Sequence, residues 1–368
     1  MHLGDIHFQT EFFAERLDSV EMPIQWLRFK PNKKTSHLLD FPHLFTPAVL
    51  VSYFRAINYS RMNDAYETAR AKKAFIKVTT DKHLITDSRV RETLQERLAI
   101  STSDFLVLKI RRTHVLQDAF DSIWRREERE LMRPLKIRLG EDHGEMGQDN
   151  GGVQQEFFGL VMAEALNPDN GTFTQDVKTK MSWFQPGSPE PLWKFELIGM
   201  IVSLAVYNGL TLPVTFPKAL YRKLLDEEVL ELHHIADGWP DLEKGLNTII
   251  EWDESDGSIE DVFSLTYEFS VDQLGQPISR EMGIPSRWPQ SSDSDSNSVS
   301  NPTDAPSVTN KNRNSYVSDY IRWLTDISIQ PQFEAFKTGF FACLDRRAIR
   351  LFDSDTLQSI VEGVQEIE

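Results

Sequence analysis

The chain has 368 residues, and its 40 lysines and arginines against 56 aspartates and glutamates leave a net charge of −16. That balance excludes a nucleic-acid-binding body, which has to offer phosphates a basic face, and points to proteins as partners. Apolar residues make up 40% of the chain and aromatic ones 11%, enough for a sizeable core.

One cysteine admits no internal disulfide, and the opening "MHLGDIHFQT" has neither a basic head nor an apolar run. A reducing cytoplasmic or nuclear setting is therefore expected, in which the sequons at Asn58 and Asn170 are irrelevant. The most apolar stretch, "LIGMIVSLAVYNGL", has the length of a buried core helix and not of a membrane span.

Residues 1–104 read as a helical extension, with amphipathic stretches in "FQTEFFAERLDSV" and "TPAVLVSYFRAINYSRMNDAYETARAKKAFI". "FLVLKI" (105–110) has strand character and leads into one charged helix, "THVLQDAFDSIWRREERELM", with Val115, Ala119 and Ile123 on one side. A second strand, "LKIRL", follows Pro134. After the turn-rich "GEDHGEMGQDNGG", "VQQEFFGLVMAEAL" predicts a helix with Val153, Phe157, Leu160 and Val161 on one face, stopped by "NPDNG". A long helix over 190–208 closes at Asn208–Gly209, where a left-handed residue ends it. Shorter helices fill 217–251, and "VFSLTYEFS" alternates like a strand. The stretch 286–308 is polar and rich in Ser and Asp; it has too little apolar area to offset its chain entropy and reads as a disordered insert. Helical periodicity resumes near 312.

The chemistry carried by single residues is sparse. Cys343 follows Phe340 by three positions and Phe336 by seven, so on a helix it joins the stripe of Phe333, Phe336 and Phe340 and is a small buried hydrophobe. Gly151 and Gly152 make a tight helix entry, with Asp149 or Asn150 as cap, and no phosphate-loop or dinucleotide pattern surrounds them. His233 and His234 fall on different faces of a helix and lack a third ligand at helical spacing, so no metal is expected. "DESDGSIED" breaks the calcium-loop order at Ser255. No cofactor motif occurs, and the residues alone describe a helix-rich protein without a self-contained active site.

Three blocks in order resemble the HECT domain of ubiquitin ligases. The first carries Gly147, Asp149, Gly151, Gly152, Val153, Glu156, Phe157, Phe158, Asn167, Pro168 and Gly171. The second carries Tyr207, Asn208, Gly209, Phe216, Pro217, Leu220 and Tyr221, and the third is "VTNKNRNSYVSDYIRWLTDISIQPQFEAFKTGFF". With the lead-in "LVLKIRRTHVLQDAF" the resemblance covers 105–368. It departs from the family pattern at Gln155, where a basic residue is common, and in the Ser/Asp-rich insert.

The resemblance implies an α+β, predominantly helical N-terminal lobe, with a large helical subdomain and a small α/β subdomain at 237–280 that docks a ubiquitin-conjugating enzyme. Its other implied partners are ubiquitin and substrate proteins. In the family a cysteine in a second lobe takes ubiquitin as a thioester and passes it to a substrate lysine. That lobe is absent here, and Cys343 stands at a packing position, so the chain as given is expected to be inactive alone. The implied docking groove is lined by Leu242, Leu246, Ile249, Ile250 and Leu274, unless these residues form the subdomain's own core. A scaffold that holds a conjugating enzyme or substrate without transferring ubiquitin is the alternative.

Overall fold

The computed structural model describes residues 16–30, 35–79, 87–90, 92–93, 103–140, 152–273, 276–281 and 305–363. Helices dominate: α1 (Glu21–Arg28), α2 (Pro47–Thr79), α3 (Val115–Ile123), α4 (Glu128–Leu131), α5 (Gly152–Ala165), α6 (Leu192–Tyr207) and α7 (Lys218–Leu224) are followed by α8 (Pro240–Glu251) and α9 (Ile259–Phe263). After these come α10 (Arg313–Thr325), α11 (Gln330–Phe340), α12 (Arg346–Ile349) and α13 (Ser354–Glu362). The strands β1 (Leu106–Ile110) and β2 (Leu135–Leu139) pair in parallel; β3 (Phe173–Gln175) with β4 (Ser182–Phe184), and β5 (Glu268–Gln273) with β6 (Gln276–Glu281), pair antiparallel. This is an α+β, mostly helical protein.

The described part of the chain divides into two compact units. The first gathers residues 1–165, 193–213 and 335–368. Strand β1 turns Leu106, Leu108 and Ile110 inward, and β2 does the same with Leu135 and Ile137. Helix α3 buries Val115, Ala119, Phe120 and Ile123. It stops at Ile123 and does not run on to Met132 as the pattern predicts, because Glu127 is extended (ψ 150°) and starts the separate turn α4 with a reciprocal cap to Glu130. Helix α5 buries Phe157, Phe158, Val161, Met162 and Ala165, while Leu160 is 38% exposed. Its inner face is therefore rotated from the predicted stripe.

Helix α6 exposes Leu192 and Trp193 in its first turn and from Leu197 on is apolar and almost wholly buried, the pattern of a core helix. Gly209 ends it at φ +76°, as the sequence predicts. Its partner in this unit is the C-terminal half of α11, which it crosses backbone to backbone. A Cβ on Gly199 would lie 2.1 Å from the Phe336 carbonyl oxygen, and one on Gly339 would lie 1.8 Å from that of Glu196. No other residue fits either position. The residues before 104 belong to the same unit: Arg347 donates to the Trp26 and Phe29 carbonyls at 3.0 and 2.9 Å and to Asp40 at 3.0 Å. Arg61 donates to the Cys343 carbonyl at 2.7 Å.

The second unit gathers residues 166–192 and 214–334. Phe173, Phe184, Phe216 and Phe333 form a ring cluster within it, and Trp183 meets Trp239 edge to face at 5.1 Å. A second aromatic group joins Tyr267 and Phe269 to Tyr316, Tyr320 and Trp323 of α10. Of the stretch read as an insert, 286–304 lies outside the described residues. Its end is ordered: the Tyr267 amide donates to the Pro306 carbonyl at 2.9 Å, the Val308 amide to that of Leu265 at 2.8 Å, and Val308 is fully buried.

Candidate functional site

Helix α8 carries four of the five residues read as a docking groove. Pro240 opens it, and Asp241 and Glu243 in its first turn suit the positive end of the helix dipole. At its other end the Arg313 guanidinium, from α10, donates to the Trp252 carbonyl at 2.8 Å and reaches that of Ile249 at 3.5 Å. Between these caps the helix packs on α10. Leu246 and Ile249 are buried at 3% and 5% exposure, whereas Leu242 and Ile250 are half-buried. Leu274 lies outside the described residues. The four described positions thus differ in role: Leu246 and Ile249 anchor the helix, and Leu242 and Ile250 keep apolar area open to solvent.

Beyond α8 the chain turns at Gly257, whose carbonyl accepts the Trp252 indole N–H at 3.0 Å, and Trp252 meets Phe263 edge to face at 5.0 Å. The segment "VFSLTYEFS" is a strand only in its second half. Ser258 caps α9 by accepting from the Asp261 amide, Ser264 ends it in the left-handed region (φ +49°), and β5 starts at Glu268. Helix α9 leaves Val262 46% exposed.

Cys343 is fully buried, in the turn after α11 and not on the helix itself. Its amide donates to the Ser203 hydroxyl at 3.0 Å. Burial pushes its thiol up to about 12, against the smaller opposing pulls of the Ser203 hydrogen bond and the Arg61 charge. A thiol that stays protonated and out of contact with solvent is not a nucleophile.

His233 and His234 do not lie on the α-helix that the sequence predicts. They sit in a single 3-10 turn, Leu232–His234, so α-helical spacing does not apply, and their rings meet at 4.2 Å. Glu231 joins them, with donor atoms of the three side chains within 4.8 Å of one another. Burial, then the charges of Arg222 and His233, hold His234 below its ordinary pKa. Among the described residues no helix is long and apolar enough to cross a membrane.

Comparison with known proteins adds to this geometry. A family model described as "HECT-domain (ubiquitin-transferase)" matches residues 159–368, more than half of the chain. The human "Probable E3 ubiquitin-protein ligase HERC4" is 30% identical over 264 residues, covering 72% of this chain and 23% of that protein. The mouse "Probable E3 ubiquitin-protein ligase HECTD2" is 28% identical over 316 residues, or 81% of this chain and 38% of that one. In Eremothecium gossypii the "Probable E3 ubiquitin-protein ligase HUL4" is 27% identical over 318 residues, with shares of 82% and 33%. The chain spans between 23% and 38% of the length of these curated relatives. A helical body with paired short strands, an α8 capped on α10 and a family match across both compact units lead to one conclusion: this chain belongs to the HECT-domain (ubiquitin-transferase) family.

Proposed function

We propose that the chain is the conjugating-enzyme-docking part of a HECT-type ubiquitin-protein ligase, one that moves ubiquitin from a conjugating enzyme through a cysteine thioester to a substrate lysine. In this reading the thioester forms on a lobe that this chain does not supply. The carrying observation is the pairing of the family match with a single, fully buried cysteine whose thiol is raised to about 12. Residues 105–368 are assigned to the N-terminal lobe, 1–104 to a helical extension and 237–280 to the docking subdomain. The mouse alignment covers 81% of this chain, more than fits within 159–368, which supports a lobe that begins upstream of the family match. Retention of one reduced cysteine favours a cytoplasmic or nuclear setting.

The docking surface is assigned to Leu242 and Ile250, seated on the buried Leu246 and Ile249, with the exposed Val262 of α9 at its margin; Leu274, the fifth residue of the expected groove, lies outside the described residues. A shallow surface with few aliphatic anchors binds weakly, which suits a carrier that leaves after each transfer. The test is a pull-down with a panel of conjugating enzymes, using Leu242→Ser and Ile250→Ser. Half-buried positions take serine without unfolding the subdomain, so lost binding reports on the surface. Binding unchanged in both variants rejects the assignment. Incubation with ubiquitin-charged conjugating enzyme is expected to leave no reductant-labile ubiquitin adduct on the chain; such an adduct would overturn the view that the accepting sulfur lies elsewhere. The scaffold reading shares the docking surface and differs in lacking any downstream cysteine lobe in the transcript.

A further inference from the structure

The first compact unit holds a cavity that the ligase reading does not use. It has a volume of about 570 Å³ and lies between α3 and the start of α6. Gln117, Phe120, Asp121 and Trp124 come from the first helix and its cap, and Trp193, Glu196, Leu197 and Met200 from the second. Each set is spaced i, i+3, i+4, i+7, so each is one face of one helix.

Those faces combine aromatic, aliphatic and acidic side chains. Phe120 and Leu197 are buried and form its floor, while Trp124 and Trp193 are 55% and 50% exposed. Phe120 and Trp193 meet edge to face at 5.8 Å, which fixes the angle of the exposed indole. Two carboxylates stand among these rings. Among the described residues Asp121 accepts only from its neighbour Gln117, at 3.2 Å, with the Arg111 charge acting on it from nearby, and no ion pair engages Glu196. The indoles already draw cations: the Arg125 guanidinium lies 4.2 Å over Trp124, and the Lys194 ammonium lies 6.0 Å from the Trp193 centroid.

We propose that this hollow binds a basic side chain of a partner protein, a lysine or arginine flanked by aliphatic residues. The cation settles between Asp121 and Glu196, against the negative face of Trp193, and its methylene stem covers Met200 and Leu197. An indole face and a carboxylate reinforce each other for a cation and both oppose an acidic group, so the site selects by charge as well as by shape. The chain's net charge of −16 draws the same class of partner from a distance. A purely apolar occupant is disfavoured, because it would desolvate both carboxylates without giving them a counter-ion. This inference does not rest on the ligase reading.

The test uses a fluorescein-labelled heptapeptide with one lysine and one arginine set among leucines, and a counterpart with glutamine at both positions. Fluorescence anisotropy is read on the full chain without any conjugating enzyme. The basic peptide is expected to bind saturably, and the glutamine peptide at least tenfold more weakly. Asp121→Asn combined with Glu196→Gln keeps shape while removing charge; it should weaken the basic peptide about tenfold or more with an unchanged melting temperature, and Trp193→Leu should do likewise. Equal binding of the two peptides, or a neutralised double variant that binds as the natural chain does, would overturn the proposal. So would self-association of the chain that Trp193→Leu abolishes, since the hollow would then belong to a second copy.

Discussion

At Cys343 two observations act together: the sulfur has no exposure, and burial raises its thiol to about 12. A thiol-reactive dye is expected to label the native chain only as fast as it unfolds, and Cys343→Ala should leave conjugating-enzyme binding intact; rapid labelling of folded protein would refute both. Leu246 makes the complementary case. Its Leu246→Ala variant should lose about 2–5 kcal/mol, as buried leucines do, measured by denaturant unfolding, whereas Leu242→Ser and Ile250→Ser should stay near the natural stability. The sequence places all of these residues on one stripe. It does not separate anchors from exposed members, because helical spacing sets a face but not how far the neighbouring helix covers it. The same gap explains Leu160, which fits the apolar stripe of α5 while Phe158 and Met162 take the inner positions.

Among the elements, the crossing of α6 and α11 is the least forgiving. Gly339→Ala has to displace a backbone carbonyl, so a loss of at least about 3 kcal/mol is expected, at the upper end of overpacking costs; a thermal melt within a degree of the natural protein would contradict the close approach. The link from β1 to α3 is electrostatic. Arg111 donates to Asp118 through Nε and Nη2, at 2.9 and 2.6 Å, and through its amide at 2.8 Å. The Arg111 side-chain hydrogen bond, chiefly, holds the Asp118 carboxyl below its ordinary range against the cost of burial. Since the folded state is the stronger acid, the stabilisation is present above the ordinary aspartate value of about 3.9 and is lost as pH falls through the folded value. Melting curves of Asp118→Asn and the natural chain should therefore converge on acidification from neutral pH, and a gap that widens would reverse the assignment. Strands β1 and β2, helix α6 and its glycine stop are legible because period and punctuation agree. Helix α9 is not, since five residues capped by Ser258 follow local hydrogen bonding that an alternating pattern conceals.

At the scale of the whole chain, each compact unit is assembled from segments distant in sequence. Phe336, Phe340, Leu344, Ile349 and Leu357 are buried and belong to the first unit. A chain ending at Glu334 should thus lose the helical signal of residues 21–165 and 193–213 beyond that of the deleted segment and gain dye-binding apolar surface; an undiminished circular dichroism spectrum per remaining residue would show that the unit does not need its C-terminal segment. That interleaving is hidden from a reading along the chain, where 1–104 looks like a separate extension, because Arg61 and Arg347 reach partners hundreds of positions away.

The sequestration of the one native thiol also has a practical side. Cysteines introduced at Tyr59 or Val177, which are 72% and 80% exposed, become uniquely addressable handles. Fluorophores or spin labels attached there can follow either unit in solution without first engineering a thiol-free background.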